Sequence, residues 1–215
     1  DSQSASLTAG FTYGTPAAIS FIQVAAAVPQ SSPTSVVVPY ASAQTAGDLN
    51  VVVVGWNNST STVQSIQDSA GNIYNLAIGP TTGTSLRQSI YYASNIKSGS
   101  NTITVTFNQA TAFPDVRILE YRGVTTPDVV AGASGSGTTA NSGSATTTAA
   151  NELIVGANTV ATLTSGPGSG FTTRIITSPD GDIAEDRVVT SAGSYSATAP
   201  LSSAGPWVMQ MVTFK

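Results

Sequence analysis

The chain has 215 residues, 8% of them charged and 40% hydrophobic, a net charge of −4, and neither histidine nor cysteine. Seven Lys plus Arg provide no basic patch for a phosphate backbone or an anionic lipid surface, so neither nucleic acid nor membrane is an expected partner. Without His or Cys, His-assisted nucleophilic triads and the usual zinc sites are ruled out, and no thiol reports the redox compartment.

The first predicted element is a strand ahead of the main body. In the run A-S-L-T-A-G-F-T-Y, alternation places Ala5, Leu7, Ala9, Phe11 and Tyr13 on one face and Ser6, Thr8, Gly10 and Thr12 on the other. Gly14, Thr15 and Pro16 follow as a connector, because Pro interrupts a ladder and Gly permits a turn. Thereafter Val/Ile/Thr-rich runs bounded by Gly, Pro, Asn and Asp predict strands at 21–27, 35–40, 49–56, 63–67, 73–78, 86–93, 102–107 and 116–122. A second set follows at 129–133, 145–148, 153–159, 171–177, 183–190, 195–199 and 207–214. Helical periodicity is absent, so the expected class is all-β.

The two sets match in order. TAGDLNVVVVGWN pairs with TAANELIVGAN, DSAGNI with SPDGDI, and FPDVRILEYR with GPWVMQMVTFK, which reads as a duplication with halves at about 20–124 and 125–215. Such a set is most simply housed in a two-sheet, jelly-roll-like β-sandwich over 20–215, preceded by an arm and connector at 1–19. The rival arrangement is two small immunoglobulin-like domains in tandem, for which the Gly/Ser/Thr-rich stretch 132–147 serves as linker; in a single domain it is a long loop. Val51, Val52, Val53 and Val54 are apolar in succession, as expected of a central strand covered on both faces.

Candidates for chemistry are few. A glycosidase needs two carboxylates, for which Glu120, Glu152 and Asp115 are nominees; the plainer expectation is that Glu120 pairs with Arg122 or Arg117. In PDGDIAEDR the acids Asp180, Asp182, Glu185 and Asp186 can provide carboxylates for calcium, whereas P-D-G also makes an ordinary turn and Arg174 and Arg187 can neutralise the acids without an ion. No other cofactor is expected. Trp56, Tyr91, Tyr92, Trp207 and Tyr121 are candidate platforms for a sugar ring, or else core residues. Asn57 and Asn58 begin overlapping glycosylation sequons in a predicted turn, and 138–148 offers hydroxyls for O-linked sugar.

An alternating arm ahead of a sandwich resembles the donor strand of subunits in extracellular filaments, in which each arm completes a sheet of the next subunit. TAGDLNVVVVGWN, DSAGNIY and PDVRILEYRG resemble Ser/Thr/Gly-rich β-sandwich domains of bacterial secreted and surface proteins. These resemblances imply a non-enzymatic subunit on the cell surface or outside the cell, polymerising with copies of itself. A start at Asp1 suits removal of a signal peptide, and a carbohydrate-binding or adhesive module that recognises polysaccharide is the alternative.

Overall fold

The structure, a computed structural model, describes residues 18–215; the predicted arm with Ala5, Leu7, Ala9, Phe11 and Tyr13 lies outside them. The strands in chain order are β1 (Ser20–Ala27), β2 (Ser35–Pro39), β3 (Leu49–Trp56), β4 (Val63–Asp68), β5 (Asn75–Thr82), β6 (Arg87–Ala93), β7 (Thr102–Phe107) and β8 (Asp115–Arg122). The second half contributes β9 (Pro127–Asn141), β10 (Ala145–Thr146), β11 (Glu152–Val160), β12 (Thr172–Ile176), β13 (Ile183–Val189), β14 (Ser194–Tyr195) and β15 (Thr198–Phe214). Neighbouring strands pair antiparallel throughout the described residues, and the chain is all-β.

Two five-stranded sheets form the centre, with orders β1-β8-β3-β6-β5 and β12-β13-β11-β15-β9. A three-stranded sheet, β2-β7-β4, backs the first, and the pair β10-β14 backs the second. Read from the strand that opens each half, the orders correspond: β1, β8, β3, β6, β5 and β9, β15, β11, β13, β12. The sequence repeat is therefore also a repeat of topology. The expected sandwich is present twice, as four stacked layers in place of two sheets.

Three apolar clusters hold the layers together. Val36, Val38, Ile103, Val105 and Phe107 of the outer sheet pack on Val52, Val54, Trp56, Val116 and Ile118. On the other face of the same strands, Leu49, Val51, Val53, Leu119 and Tyr121 meet Leu153, Val155, Val212 and Phe214 of the second half. The third cluster, including Ile154, Ile183, Met209 and Met211, lies beyond the second central sheet. β3 is thus covered on both sides, as its unbroken valines require. Because the middle cluster takes residues from both halves, the halves share one core and are not beads on a linker.

The expected linker or loop at 132–147 is strand over 132–141, the second part of β9, and again at β10. β9 runs for 15 residues alongside β15, with continuous pairing of Gly205–Val212 against 130–137. Its small residues are what the packing demands: a Cβ on Gly135 would fall 2.6 Å from the Trp207 ring, and one on Gly132 would fall 2.9 Å from Ile78. A low-complexity composition here is the complement of bulky neighbours.

Candidate functional site

Alternation along the central strands divides the space between the two five-stranded sheets into an apolar end and a polar end. On β8, Leu119 and Tyr121 point into the apolar cluster, and Arg117, on the same face, is fully buried at the other end. Its Nε lies 2.9 Å from Asp115 Oδ1, and Nη1 donates to the carbonyls of Asn158 (2.8 Å) and Ile183 (2.6 Å). Asp182 Oδ2 stands 3.8 Å from Nη2. Gln88 accepts from Thr159 Oγ1 (2.9 Å) and donates to the Ala157 carbonyl (2.8 Å), while Gln210 donates to the Gln88 carbonyl (3.0 Å). Burial pushes the Asp115 carboxyl up, and burial together with the charge of Asp115 pushes Asp182 well up; in both, the guanidinium opposes the rise. Thr177 donates to Asp115, and the Val160 N–H to Asp182 at 2.9 Å. The network bolts one half to the other, since Arg117, Asp115 and Gln88 come from the first and their partners largely from the second. A shallow cleft of about 320 Å³ opens beside it, lined by Asn57, Thr162, Leu163, Asp180 and Asp182.

The acids of PDGDIAEDR do not converge. Gly181, at φ 75°, turns the chain into β13, whose alternation then sends successive acids to opposite faces. Asp182 joins the seam, Asp186 accepts from Nε and Nη2 of Arg174 (2.7 and 2.8 Å), and Asp180 accepts from Gln30 (2.8 Å). Glu185 points the other way, accepting from the Gly168 N–H at 2.8 Å with its second oxygen buried and unpartnered, and burial pushes its carboxyl up to about 7. The calcium expectation thus finds no group of three or more converging acids among the described residues.

The expected pairing of Glu120 with Arg117 or Arg122 is corrected. Glu120 is fully buried and accepts from Gln23 Nε2 (2.5 Å) and the Thr45 N–H (3.1 Å). Arg117 lies on the opposite face of β8, and Arg122 takes both oxygens of Asp48 (3.1 and 3.0 Å). Lys215, at the matching end of the second half, pairs instead with Asp128 at 2.6 Å. Glu152 caps the Ala149 N–H at 2.9 Å, and Asp115 belongs to the seam, so the three glycosidase nominees occupy three separate settings.

The aromatics do not form a shared platform either. Trp56 is 1% exposed and stacks edge-on with Phe107 in one cluster, and Tyr121 is fully buried in another. Tyr91 and Tyr92 point to opposite faces, Tyr92 packing edge-on against Phe214, and Trp207 covers Gly135 beside the third cluster. Of the sequon residues, Asn57 is exposed, while the Asn58 side chain accepts from the N–H groups of Thr60 and Ser61 and so shapes the turn. Asp68 of DSAGNI, read as a turn, is also a hub, accepting from Asn72, Tyr74 and Asn101 at 2.7–2.9 Å.

The chain enters the described fold at a rim. β1 is an edge strand, and just before it the exposed Ala18 and half-buried Ile19 form the lip of a groove of about 670 Å³, completed by Gly123, Ala150, Asn151, Val188 and Lys215. Val188 is 47% exposed there. Nothing in the sequence marks this groove, because its walls are turn residues far apart in the chain. No protein-family model, curated protein or solved structure matches this chain.

Proposed function

We propose that the chain is a structural subunit of an extracellular fibre, joined to copies of itself head to tail through its N-terminal segment. The observation that supports this reading most directly is the entry point: the chain meets the fold at edge strand β1, with Ala18 exposed at the lip of an open groove. The attachment point, Ala18, thus lies at the outside of the sheet stack. The four-layer body, locked at its centre by the Arg117 network, is suited to carry load between neighbours without hinging. Deleting residues 1–14 tests the reading. The truncated protein is expected to keep its melting temperature within a few degrees and to stay monomeric by light scattering; fibres of the truncated protein in electron micrographs sink the proposal.

A second reading, a carbohydrate-binding module, is favoured by a cleft of about 380 Å³ in which Asn72, Asn75, Asn95 and Lys97 surround Ile73, itself 80% exposed. The Asn75 and Asn95 amides can hydrogen-bond sugar hydroxyls while the Ile73 side chain meets the apolar face of a ring. A glycan array separates the readings, since a module of this kind binds a defined sugar and loses it on Asn95→Ala.

A further inference from the structure

The two halves differ in how their outer faces are covered. The three-stranded sheet β2-β7-β4 backs the first central sheet, whereas β10 and β14, of 2 residues each, back the second. Further cover over the second sheet comes from the chain between β11 and β12, which reads T-S-G-P-G-S-G-F over 164–171. Its ends are fixed. Thr164 is buried, accepts from Asn158 Nδ2 (2.9 Å) and donates its N–H to the Gly181 carbonyl (3.0 Å), Ser165 N–H donates to the Pro200 carbonyl (2.9 Å), and Phe171 packs against the third apolar cluster. Between these anchors, over 166–170, Gly168 alone is buried, and a Cβ on it would fall 2.1 Å from the Thr198 carbonyl oxygen. Among the described residues, the one hydrogen bond that ties 166–170 to another element runs from Gly168 N–H to Glu185 Oε2, at 2.8 Å.

Glu185 is fully buried, and its other oxygen, Oε1, has no hydrogen-bond partner. Oε1 takes the space left by the missing side chain of Gly156, where a Cβ would fall 3.0 Å from it and 2.7 Å from Ala197 Cβ. We propose that 166–170 is a proton-operated strap, seated on the second sheet while Glu185 is protonated and released when Glu185 ionises. A buried carboxylate needs water, a cation or several donors, and the seated strap offers it one N–H. Lifting 166–170 hydrates the carboxylate and breaks a single backbone hydrogen bond to the rest of the fold. Gly166 and Gly170, the latter at φ 80°, supply bending points at the two ends of the segment.

The charges around Glu185 do not offset its ionisation. On β13, Asp186 points to the opposite face, where Arg174 of β12 holds it, and its charge adds to the rise in Glu185. Arg187 shares the Glu185 face, but its guanidinium lies 5.6 Å over the Tyr195 ring and against Gly170, and among the described residues it forms no ion pair with Glu185. On β11 the single charge is Glu152, which pairs with Val189 at the far end of β13, while Gly156 is the residue opposite Glu185. Neither β15 nor 161–171 carries a charged residue, and Asp115 and Asp182 face the seam on the other side of the sheet. Burial therefore pushes the Glu185 carboxyl up to about 7, with the Gly168 N–H working against it. A carboxyl whose pKa is higher in the seated than in the released state favours seating at low pH and loses that preference as pH rises through the raised value, so release sets in near neutrality.

Backbone hydrogen exchange of the full chain, followed by NMR and corrected for the intrinsic rate at each pH, tests the strap. The Gly168 amide is expected to lose at least about tenfold in protection between about pH 5 and about pH 8.5, while in Glu185→Gln its protection is equal at the two pH values. At about pH 8.5, Gly168 exchange in the native chain is expected to be indifferent to low urea, as for a local opening, whereas the amides of β3 speed up with urea, as for unfolding of the whole. Protection of Gly168 that does not change with pH, or that falls equally in the variant, overturns the role of Glu185. A urea dependence of Gly168 equal to that of β3 overturns the strap, because the opening is then global; this comparison uses the native chain and stands whether or not the variant folds.

Discussion

Replacing Arg117 by methionine keeps much of the side-chain volume and removes the charge. In the native seam the guanidinium neutralises Asp115 at 2.9 Å, faces Asp182 at 3.8 Å, and satisfies the carbonyls of Asn158 and Ile183. Methionine leaves two buried carboxylates and two carbonyls without it. Breaking a buried pair by removing one partner costs about 3–5 kcal/mol, which for a chain of this size lowers the melting temperature on the order of 10 °C. The loss also depends on pH. Burial raises the folded-state pKa of Asp115 and Asp182, and a carboxyl so raised favours the folded state at low pH and loses that contribution as pH climbs through the folded value. Without Arg117 the rise is larger, so the deficit of the variant is greatest near about pH 7 and shrinks toward about pH 4. Urea unfolding at both pH values measures it. Adding Asp115→Asn and Asp182→Asn is expected to recover much of the loss at about pH 7, because the buried charges go with their counter-charge. A deficit below about 1 kcal/mol, or one equal at the two pH values, refutes the view that Arg117 is needed to hold buried negative charge.

Glu185, raised from 4.5 to about 7 mainly by burial, contributes stability below its unfolded pKa that disappears as pH rises toward 7, so native stability falls over that window and Glu185→Gln flattens the dependence; carbon-13 NMR of the labelled carboxyl reads the titration directly. Asp68 behaves oppositely, for although burial works against it, hydrogen bonds from Asn101, Asn72 and Tyr74 lower its pKa, and the stability it adds is lost as pH falls below the usual carboxylate range. Asp68→Ala is expected to cost about 1–3 kcal/mol in urea unfolding at neutral pH. Gly55→Ala is expected to destabilise by a similar amount, about 1–3 kcal/mol, because the new Cβ would lie 2.2 Å from Thr159 Oγ1, a member of the seam; thermal unfolding checks it.

Most strands were legible because their driving force is local. β3, β7 and β13 follow from runs whose period and bounding turn residues depend on nothing distant, and the repeat halves align for the same reason. Of β9 only the start, 129–133, was legible; the rest escaped because Gly, Ser and Thr have weak strand preference, and Trp207, Ile78 and β15 impose its extended form from outside the segment. The polar seam left a readable trace, an Arg or Gln at an inward position in V-R-I-L and V-M-Q-M, yet those letters do not say which carboxylate or carbonyl will answer. Glu120 shows the consequence: its charge suggested an arginine partner, and its actual donors are Gln23 and Thr45.

The order of residues alone determined that the chain forms antiparallel sheets, twice over, since alternation and turn chemistry act between near neighbours. Tertiary packing decided that the two sandwiches share a core, that Arg117 bolts them together, and that the Gly/Ser/Thr-rich stretch of β9 is laid alongside β15. Those outcomes depend on which surfaces meet across tens of residues, where burial and the need to pair every buried charge select one arrangement that no local pattern encodes.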